Sequence, residues 1–160
     1  AAIVGFVSGY SIKAGRSFVE IMFGDFTTLV FDQLLQHLAK FTSMYGIEIK
    51  IPFILRTPMG GFRGYGPTHS QSLEKHFLGI PGLKVVALNQ LIHPSCIFEI
   101  FLEQRNPILL IENKTLYTKK LFENFKQKWI RQIPKMEMIN YMYRFQSTYD
   151  MKRTKLCLKD

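Results

Sequence analysis

The sequence predicts an α/β fold in which helices cover both faces of a mainly parallel sheet. Helical and strand-like segments alternate four times between residues 1 and 111. The strand-like segments, such as LKVVAL and ILLI, are continuous apolar runs rather than alternating patterns, as is typical of strands buried on both faces. The chain has 160 residues, 47% hydrophobic and 21% charged, which fits one folded domain.

The predicted elements follow from local patterns along the chain. We expect helices over residues 1–14, 25–45, 70–78 and 94–104, and strands over 17–22, 49–55, 83–88 and 108–111.

The strongest helix pattern is residues 25–45, where apolar side chains recur every three or four positions. Asp25 is its expected N-cap and Gly46 its end. The Thr68-x-x-Gln71 pattern is a capping box and predicts the start of the third helix. Glu20, inside the first strand, is expected to be a buried acid tuned for catalysis. More often, such a residue is satisfied by backbone donors or by a basic partner such as Arg56.

The net charge of +9 is unevenly distributed. Residues 1–117 carry ten Lys or Arg and eight Asp or Glu, whereas residues 118–160 carry eleven and four. A nucleic-acid function could therefore rest only on the last quarter, which lacks the aromatic-basic signature of an RNA-recognition motif. We expect a domain over residues 1–118 and a basic helical connecting segment or tail over residues 119–160.

Several function classes find no support in the sequence. No apolar run approaches the roughly 18 residues of a membrane span, and no signal-peptide pattern is present. Cys96 and Cys157 form no metal or redox motif and weakly favour a reducing compartment. His37, His76 and His93 have no partners at metal-ligand spacing, so we expect no zinc site and interpret all three as structural.

Two segments leave predicted strands at the carboxyl edge of the sheet, where parallel α/β proteins bind ligands. They are Met22–Phe26 and Thr57–His69. If their strands are neighbours, Met22, Phe26 and His69 meet in one crevice. The alternative is that Met22 and Phe26 are core residues and that His69 bonds to backbone at a helix start.

The second of these segments is unusually rich in glycine, in the sequence RTPMGGFRGYGPTHSQS beginning at Arg56. Its glycines are out of register with the dinucleotide-binding and P-loop motifs. A structural Ω-loop and a ligand-binding loop are both compatible with it. His69 at its end could exchange protons near neutral pH.

Six sequence blocks, in this order, resemble a known family. They are AAIVGF, VEIMFGDF (19–26), FDQ (31–33), RTPMGG with GYGPTHSQSLE (56–74), GLKVVA (82–87) and NPILLIENKTLY (106–117). Together they resemble the transketolase-like pyrimidine-binding domain in the beta subunit of thiamine-diphosphate-dependent 2-oxoacid dehydrogenases, such as pyruvate and branched-chain 2-oxoacid dehydrogenase. The resemblance runs from Ala1 to about Leu121.

The resemblance implies a three-layer α/β/α thiamine-diphosphate-binding fold and a role in the oxidative decarboxylation of a 2-oxoacid, with acyl transfer to a lipoyl group. It implies that Phe26 stacks on the aminopyrimidine ring of the cofactor, that Met22 packs beside it, and that His69 is catalytic and assists acyl transfer. Magnesium and the diphosphate would be held by an alpha subunit or a fused alpha region.

Further expectations about the assembly follow from the resemblance. A lipoyl-bearing acyltransferase would be the other partner, in a homodimer or heterotetramer located in the cytoplasm or, in a eukaryote, the mitochondrial matrix. No nucleic acid or membrane partner is expected.

The sequence also departs from the family pattern. The family's activating glutamate would lie directly before Ala1, so we expect this chain alone to be inactive. Asn106 fits the family's potassium site, but Gln104 replaces its usual acidic residue, which leaves metal binding unknown. The alternatives are a transketolase-like or deoxyxylulose-phosphate-synthase-like enzyme, against which the HSQS block favours the dehydrogenase, and a non-catalytic interaction module using the basic tail.

Overall fold

The computed structural model describes residues 1–90 and 93–120. The strands are β1 (Ser17–Glu20), β2 (Phe53–Met59), β3 (Lys84–Ala87) and β4 (Ile108–Asn113). The α-helices are α1 (Ala2–Ala14), α2 (Phe41–Tyr45), α3 (Gly66–His69) and α4 (Pro94–Glu103), with shorter helical turns at Gly24–Val30, Gln33–Leu38, Glu74–His76 and Lys114–Thr118. The predicted tail, apart from Lys119 and Lys120, lies outside the described residues.

The four strands form one sheet in the order β1-β2-β4-β3, and every neighbouring pair is parallel. β2 and β4 lie in the centre, where side chains on both faces are covered, and Phe53, Leu55, Leu109 and Leu110 are almost fully buried. The apolar, non-alternating strand pattern arises from this two-sided burial. The predicted α/β fold with a parallel sheet is therefore confirmed.

The first strand differs from the prediction. β1 is an edge strand in which Ser17 and Val19 are buried whereas Phe18 and Glu20 are exposed. One face of β1 lacks the cover that the central strands have, so its side chains alternate. The expectation that Glu20 is a buried acid is wrong.

The predicted continuous helix over residues 25–45 is also wrong in detail. The chain forms a 3₁₀ helix at Gly24–Val30, a π-helical stretch at Gln33–Leu38 and then α2. At the start, the hydroxyls of Thr27 and Thr28 donate to the carbonyls three residues before them and favour the tighter turn. At the end, the widened turn brings the Ala39 carbonyl against Gly82, where a Cβ would collide with it. Apolar periodicity places the correct face inward but does not report these local changes in winding.

The predicted helix over residues 70–78 is wrong, because only one short helical turn falls in that range. α3 ends at His69, and a single 3₁₀ turn covers Glu74–His76. The expected capping box does not form, because Thr68 lies inside α3 and Gln71 Nε2 donates to the Thr68 carbonyl at 3.0 Å. The pattern thus marks a helix end instead of a helix start.

No helix among residues 1–90 and 93–120 is both long and apolar enough to span a membrane.

Candidate functional site

The two glycine- and aromatic-rich segments identified from the sequence leave neighbouring strands. β1 pairs with β2 along its length, and Ile21 N still donates to the Arg56 carbonyl at 2.9 Å just beyond the end of β1. The segment after β1 and the loop after β2 therefore start from the same edge of the sheet. This was the condition on which the predicted crevice depended.

Aromatic rings from both segments meet at this edge. The Phe23 ring stacks on the His69 imidazole with centroids 4.2 Å apart and planes 16° apart. Phe26 approaches the same imidazole edge-on at 5.5 Å, and Tyr65 packs edge-on against Phe23 at 5.5 Å. The predicted encounter between Phe26 and His69 is present. Met22 lies at the same edge, directly after Ile21, outside these ring contacts.

His69 is held by a carboxylate. Its Nδ1 lies 3.0 Å from both carboxylate oxygens of Asp25, and the two side chains are 31% and 15% exposed. The sequence suggested a backbone partner for His69 and a capping role for Asp25. Both interpretations are wrong, since the 3₁₀ helix that contains Asp25 has no side-chain cap.

A buried lysine contacts the backbone of the histidine. Lys114 is 4% exposed, and its Nζ donates to the His69 carbonyl at 2.6 Å. The same Nζ lies over the rings of Phe23 and Tyr65, at 4.6 and 4.9 Å from their centroids. These cation–π contacts and one hydrogen bond accommodate a charge that burial would otherwise disfavour.

Burial and two neighbouring charges together determine the pKa of Lys114. Burial lowers the pKa of the Lys114 ammonium; the charge of Asp25 opposes that shift and the charge of Arg63 adds to it. Sequence reasoning missed Lys114. The available signal was its position directly after the buried strand ILLIEN, at the edge where ligands bind.

An ion-pair network joins three adjacent strands next to the site. Arg56 on β2 donates twice to Glu112 on β4, with both distances 2.7 Å, and also pairs with Glu20 on β1. Tyr117 donates its hydroxyl to Glu112 at 2.7 Å. The predicted pairing of Glu20 with Arg56 is confirmed.

The network shifts the titration of its members. The Glu112 hydrogen bond raises the pKa of Arg56 above its ordinary value. Burial and the adjacent Glu112 raise the pKa of Tyr117 to about 12. Burial works to raise the pKa of Glu112, but the hydrogen bonds and charge of Arg56, together with the Tyr117 hydroxyl, outweigh it and lower that pKa. The raised pKa of Arg56 and the lowered pKa of Glu112 therefore keep these two groups charged through the neutral range, and the raised pKa of Tyr117 keeps its phenol neutral.

The apolar residues at this edge of the sheet are accessible. Met22 is 65% exposed and Phe26 is 38% exposed, which contradicts their interpretation as core residues. At the tip of the neighbouring loop, Phe62 is almost fully exposed and adopts φ 62°, a left-handed conformation that is strained for a bulky side chain. The edge thus presents an apolar, aromatic surface next to an imidazole.

The remaining sequence candidates lie elsewhere. His93 caps α4 by accepting from Ser95 N, and His37 lies 3.6 Å from Asp32 on an exposed surface. Gln104 accepts a hydrogen bond from Lys84 through its side-chain oxygen. Within residues 1–90 and 93–120, no three His, Cys, Asp or Glu side chains are placed to hold a metal ion.

A parallel α/β sheet with an accessible aromatic surface and an imidazole at its carboxyl edge is typical of α/β domains that bind small molecules at that edge. The family model described as "Transketolase, pyrimidine binding domain" matches residues 1–120. The chain belongs to this family.

Its relatives include beta subunits of two kinds of oxidoreductase. The acetoin:2,6-dichlorophenolindophenol oxidoreductase subunit beta of Bacillus subtilis (strain 168) is 38% identical over 106 residues, 66% of this chain and 31% of the relative. The pyruvate dehydrogenase E1 component subunit beta of Gracilaria tenuistipitata var. liui is 32% identical over 119 residues, 74% of this chain and 37% of the relative.

A third relative extends the match further along the chain. The pyruvate dehydrogenase E1 component subunit beta of Chaetosphaeridium globosum is 30% identical over 139 residues, 86% of this chain and 42% of the relative. The chain thus spans about a third of the length of the curated relatives it matches. The resemblance to these beta subunits that the sequence blocks predicted is confirmed.

Proposed function

We propose that this chain is the pyrimidine-binding part of the beta chain of a thiamine-diphosphate-dependent 2-oxoacid dehydrogenase. One observation carries the proposal: in a chain of the pyrimidine-binding family, the partly exposed Phe26 contacts His69 at the carboxyl edge of the sheet, where the exposed Met22 also lies. The whole enzyme would also need an alpha subunit or fused alpha region, which would hold magnesium and the diphosphate.

The residues at the edge fit a flat heteroaromatic ring. Phe26 offers a partly exposed ring face and Met22 a polarisable thioether, and both groups favour contact with an aromatic ligand. When bound, thiamine diphosphate supplies the carbon nucleophile that cleaves the bond beside the substrate carbonyl. In this proposal, the side chains of this chain orient the ring and exclude water from it.

His69 is the proposed proton-handling group. Its Nδ1 is engaged by Asp25, and no described side chain bonds to its Nε2, which can accept or return a proton at the open edge. Lys114 fixes the loop through the His69 carbonyl, so the imidazole is held from the backbone as well as from the ring. Residues 57–69, which comprise the end of β2, the glycine-rich loop and α3, would form one wall of the channel to the site.

The test of the proposal measures thiamine diphosphate binding to the purified assembly that contains this chain. Phe26→Ala should weaken cofactor affinity about tenfold or more, because a ring contact contributes roughly 0.5–1.5 kcal/mol beyond the burial of its area. Leu102→Ala is the matched control, since Leu102 is 56% exposed but lies on the last turn of α4, which leads to the opposite edge of the sheet. Equal effects of the two substitutions, or no binding by the unaltered assembly, would contradict the proposal.

A second substrate class is favoured by one finding. The relative with 38% identity is named an acetoin oxidoreductase subunit, so acetoin is a candidate substrate alongside pyruvate and branched-chain 2-oxoacids. Assaying the same assembly with acetoin, pyruvate and a branched-chain 2-oxoacid separates these possibilities. Turnover of acetoin alone would replace the 2-oxoacid assignment and leave the proposed pyrimidine site intact.

For the 2-oxoacid reaction, the proposed acyl acceptor is the lipoyl group of an acyltransferase. The assembly is proposed to be a homodimer or heterotetramer, located in the cytoplasm or in the mitochondrial matrix of a eukaryote.

A further inference from the structure

We infer that Asp25 is a positioning residue for His69: its carboxylate holds the imidazole as the Nδ1–H tautomer and leaves Nε2 as the free, proton-accepting nitrogen. The inference rests on the proposed function for its catalytic meaning. It adds a role for a residue that the sequence pattern identified only as a helix cap.

The hydrogen-bond geometry determines the direction of the contact. His69 Nδ1 lies 3.0 Å from each carboxylate oxygen of Asp25. An ionised carboxylate can only accept hydrogen bonds, so the hydrogen between the two groups belongs to Nδ1. A neutral imidazole carries one ring hydrogen, and Nε2 therefore keeps its lone pair.

The surroundings hold both partners in place. The Asp25 side chain is 15% exposed, and Thr28 Oγ1 donates to the Asp25 carbonyl at 2.8 Å, which fixes its backbone. Phe23 stacks on one face of the imidazole and limits its rotation. Lys114 lies close enough to Asp25 for the charges of the two side chains to interact.

Substitution of Asp25 distinguishes a positioning role from a purely structural hydrogen bond to His69. An asparagine in place of Asp25 would still reach the imidazole, but its amide could either accept from Nδ1–H or donate to a bare Nδ1. Asp25→Asn therefore keeps a hydrogen bond of similar shape while removing the charge that selects the tautomer. A structural role predicts little change in activity, whereas a positioning role predicts a mixture of tautomers and a slower proton-transfer step.

The first measurement is independent of activity. The ¹⁵N-histidine-labelled full chain is examined by long-range ¹H–¹⁵N correlation at about pH 9, well above the ordinary histidine pKa of about 6.5. The chain has four histidines, and the His69 signals are assigned by their loss in His69→Gln. We expect the Nδ1–H pattern in the unaltered chain and a shift toward Nε2–H in Asp25→Asn. An Nε2–H pattern in the unaltered chain would overturn the inference.

The second measurement uses the assembly with a lipoyl acceptor. Asp25→Asn should lower the kcat of acyl transfer by up to about a hundredfold, the lower end of the roughly 10²–10⁴-fold contribution of general acid–base catalysis, because the imidazole itself remains. The KM for the 2-oxoacid should change little. Asp25→Asn combined with His69→Ala should be no slower than His69→Ala alone. An unchanged kcat in Asp25→Asn, despite the shifted tautomer, would overturn the positioning role. The expected tautomers in an assembly that transfers no acyl group would instead contradict the proposed function.

Discussion

Two buried threonines show that the contribution of a hydroxyl to stability depends on whether it has a hydrogen-bond partner. Thr27 and Thr57 are both completely buried. The Thr27 hydroxyl donates to the Gly24 carbonyl, whereas the Thr57 hydroxyl, on β2, has no hydrogen-bond partner among the described residues. A buried polar group without a partner lowers stability, because its hydration is lost without replacement.

The two sites predict opposite outcomes for the same substitution. Thr57→Val should raise the free energy of unfolding by about 1 kcal/mol, because valine keeps the shape and removes the unsatisfied hydroxyl. Thr27→Val should lower it by about 1 kcal/mol, because a formed hydrogen bond is lost. Urea unfolding of the full chain measures both values. A loss of stability in Thr57→Val would show that its hydroxyl has a partner in solution.

Individual site residues differed in how far the sequence could predict them. Phe26 and His69 could be brought together, because both follow strands that proved to be neighbours. Asp25 and Lys114 could not be assigned as partners of His69. They lie 44 and 45 positions from it, and no local pattern reports which side chains at the sheet edge form hydrogen bonds with each other. Local patterns indicate only what a residue does within its own turn of helix. For that reason, the local pattern predicted Asp25 to be a helix cap.

Among the elements, the strands were predicted better than the helices, although β2 covers Phe53–Met59 and not the predicted residues 49–55. Apolar runs such as ILLI reflect burial on both faces, which the fold requires of β4. The π-helical stretch ends at Ala39, whose carbonyl lies against Gly82, a contact far along the chain. A periodic pattern alone therefore predicts the buried face but not the 3₁₀ and π-helical geometry.

The ion-pair network acts at the scale of the sheet, because Arg56 links β1, β2 and β4. The pKa of Glu112 is lower in the folded chain than its ordinary value of 4.5, so protonation of this group opposes folding. The stability it contributes is fully present above about pH 4.5 and is lost as the pH falls through the lowered folded pKa.

This linkage predicts the acid sensitivity of the fold. Glu112→Gln should lower the free energy of unfolding at pH 7 by about 1–3 kcal/mol, because Arg56 loses its charged partner inside the sheet. The variant should also lose less stability than the unaltered chain between about pH 4.5 and more acidic values, since the linked group is gone. Glu20→Gln is the control: the Glu20 side chain is 51% exposed, so the change should cost about 0–1 kcal/mol. An equal loss of unfolding free energy on acidification in Glu112→Gln and in the unaltered chain would contradict the linkage.

For the whole molecule, the uneven distribution of charge along the chain determines which part attracts polyanions. Residues 1–117 are close to neutral, whereas residues 118–160 carry eleven basic and four acidic side chains. Attraction to polyanions should come from the second part, because each neutralised phosphate releases a counterion and makes binding depend on salt. The proposed pyrimidine site lies at the edge of the sheet in the first part.

We therefore expect the full chain to bind random-sequence DNA weakly, with affinity falling steeply between about 50 and about 200 mM salt. A chain cut after Thr118 should lose this binding and keep the far-ultraviolet circular dichroism of the sheet and helices. Fluorescence anisotropy at several salt concentrations measures both chains. Steep salt dependence in the shortened chain would place the attraction on residues 1–118. Strong, sequence-selective binding by the full chain would favour an interaction module over the proposed enzyme component, because a merely basic segment does not discriminate between base sequences.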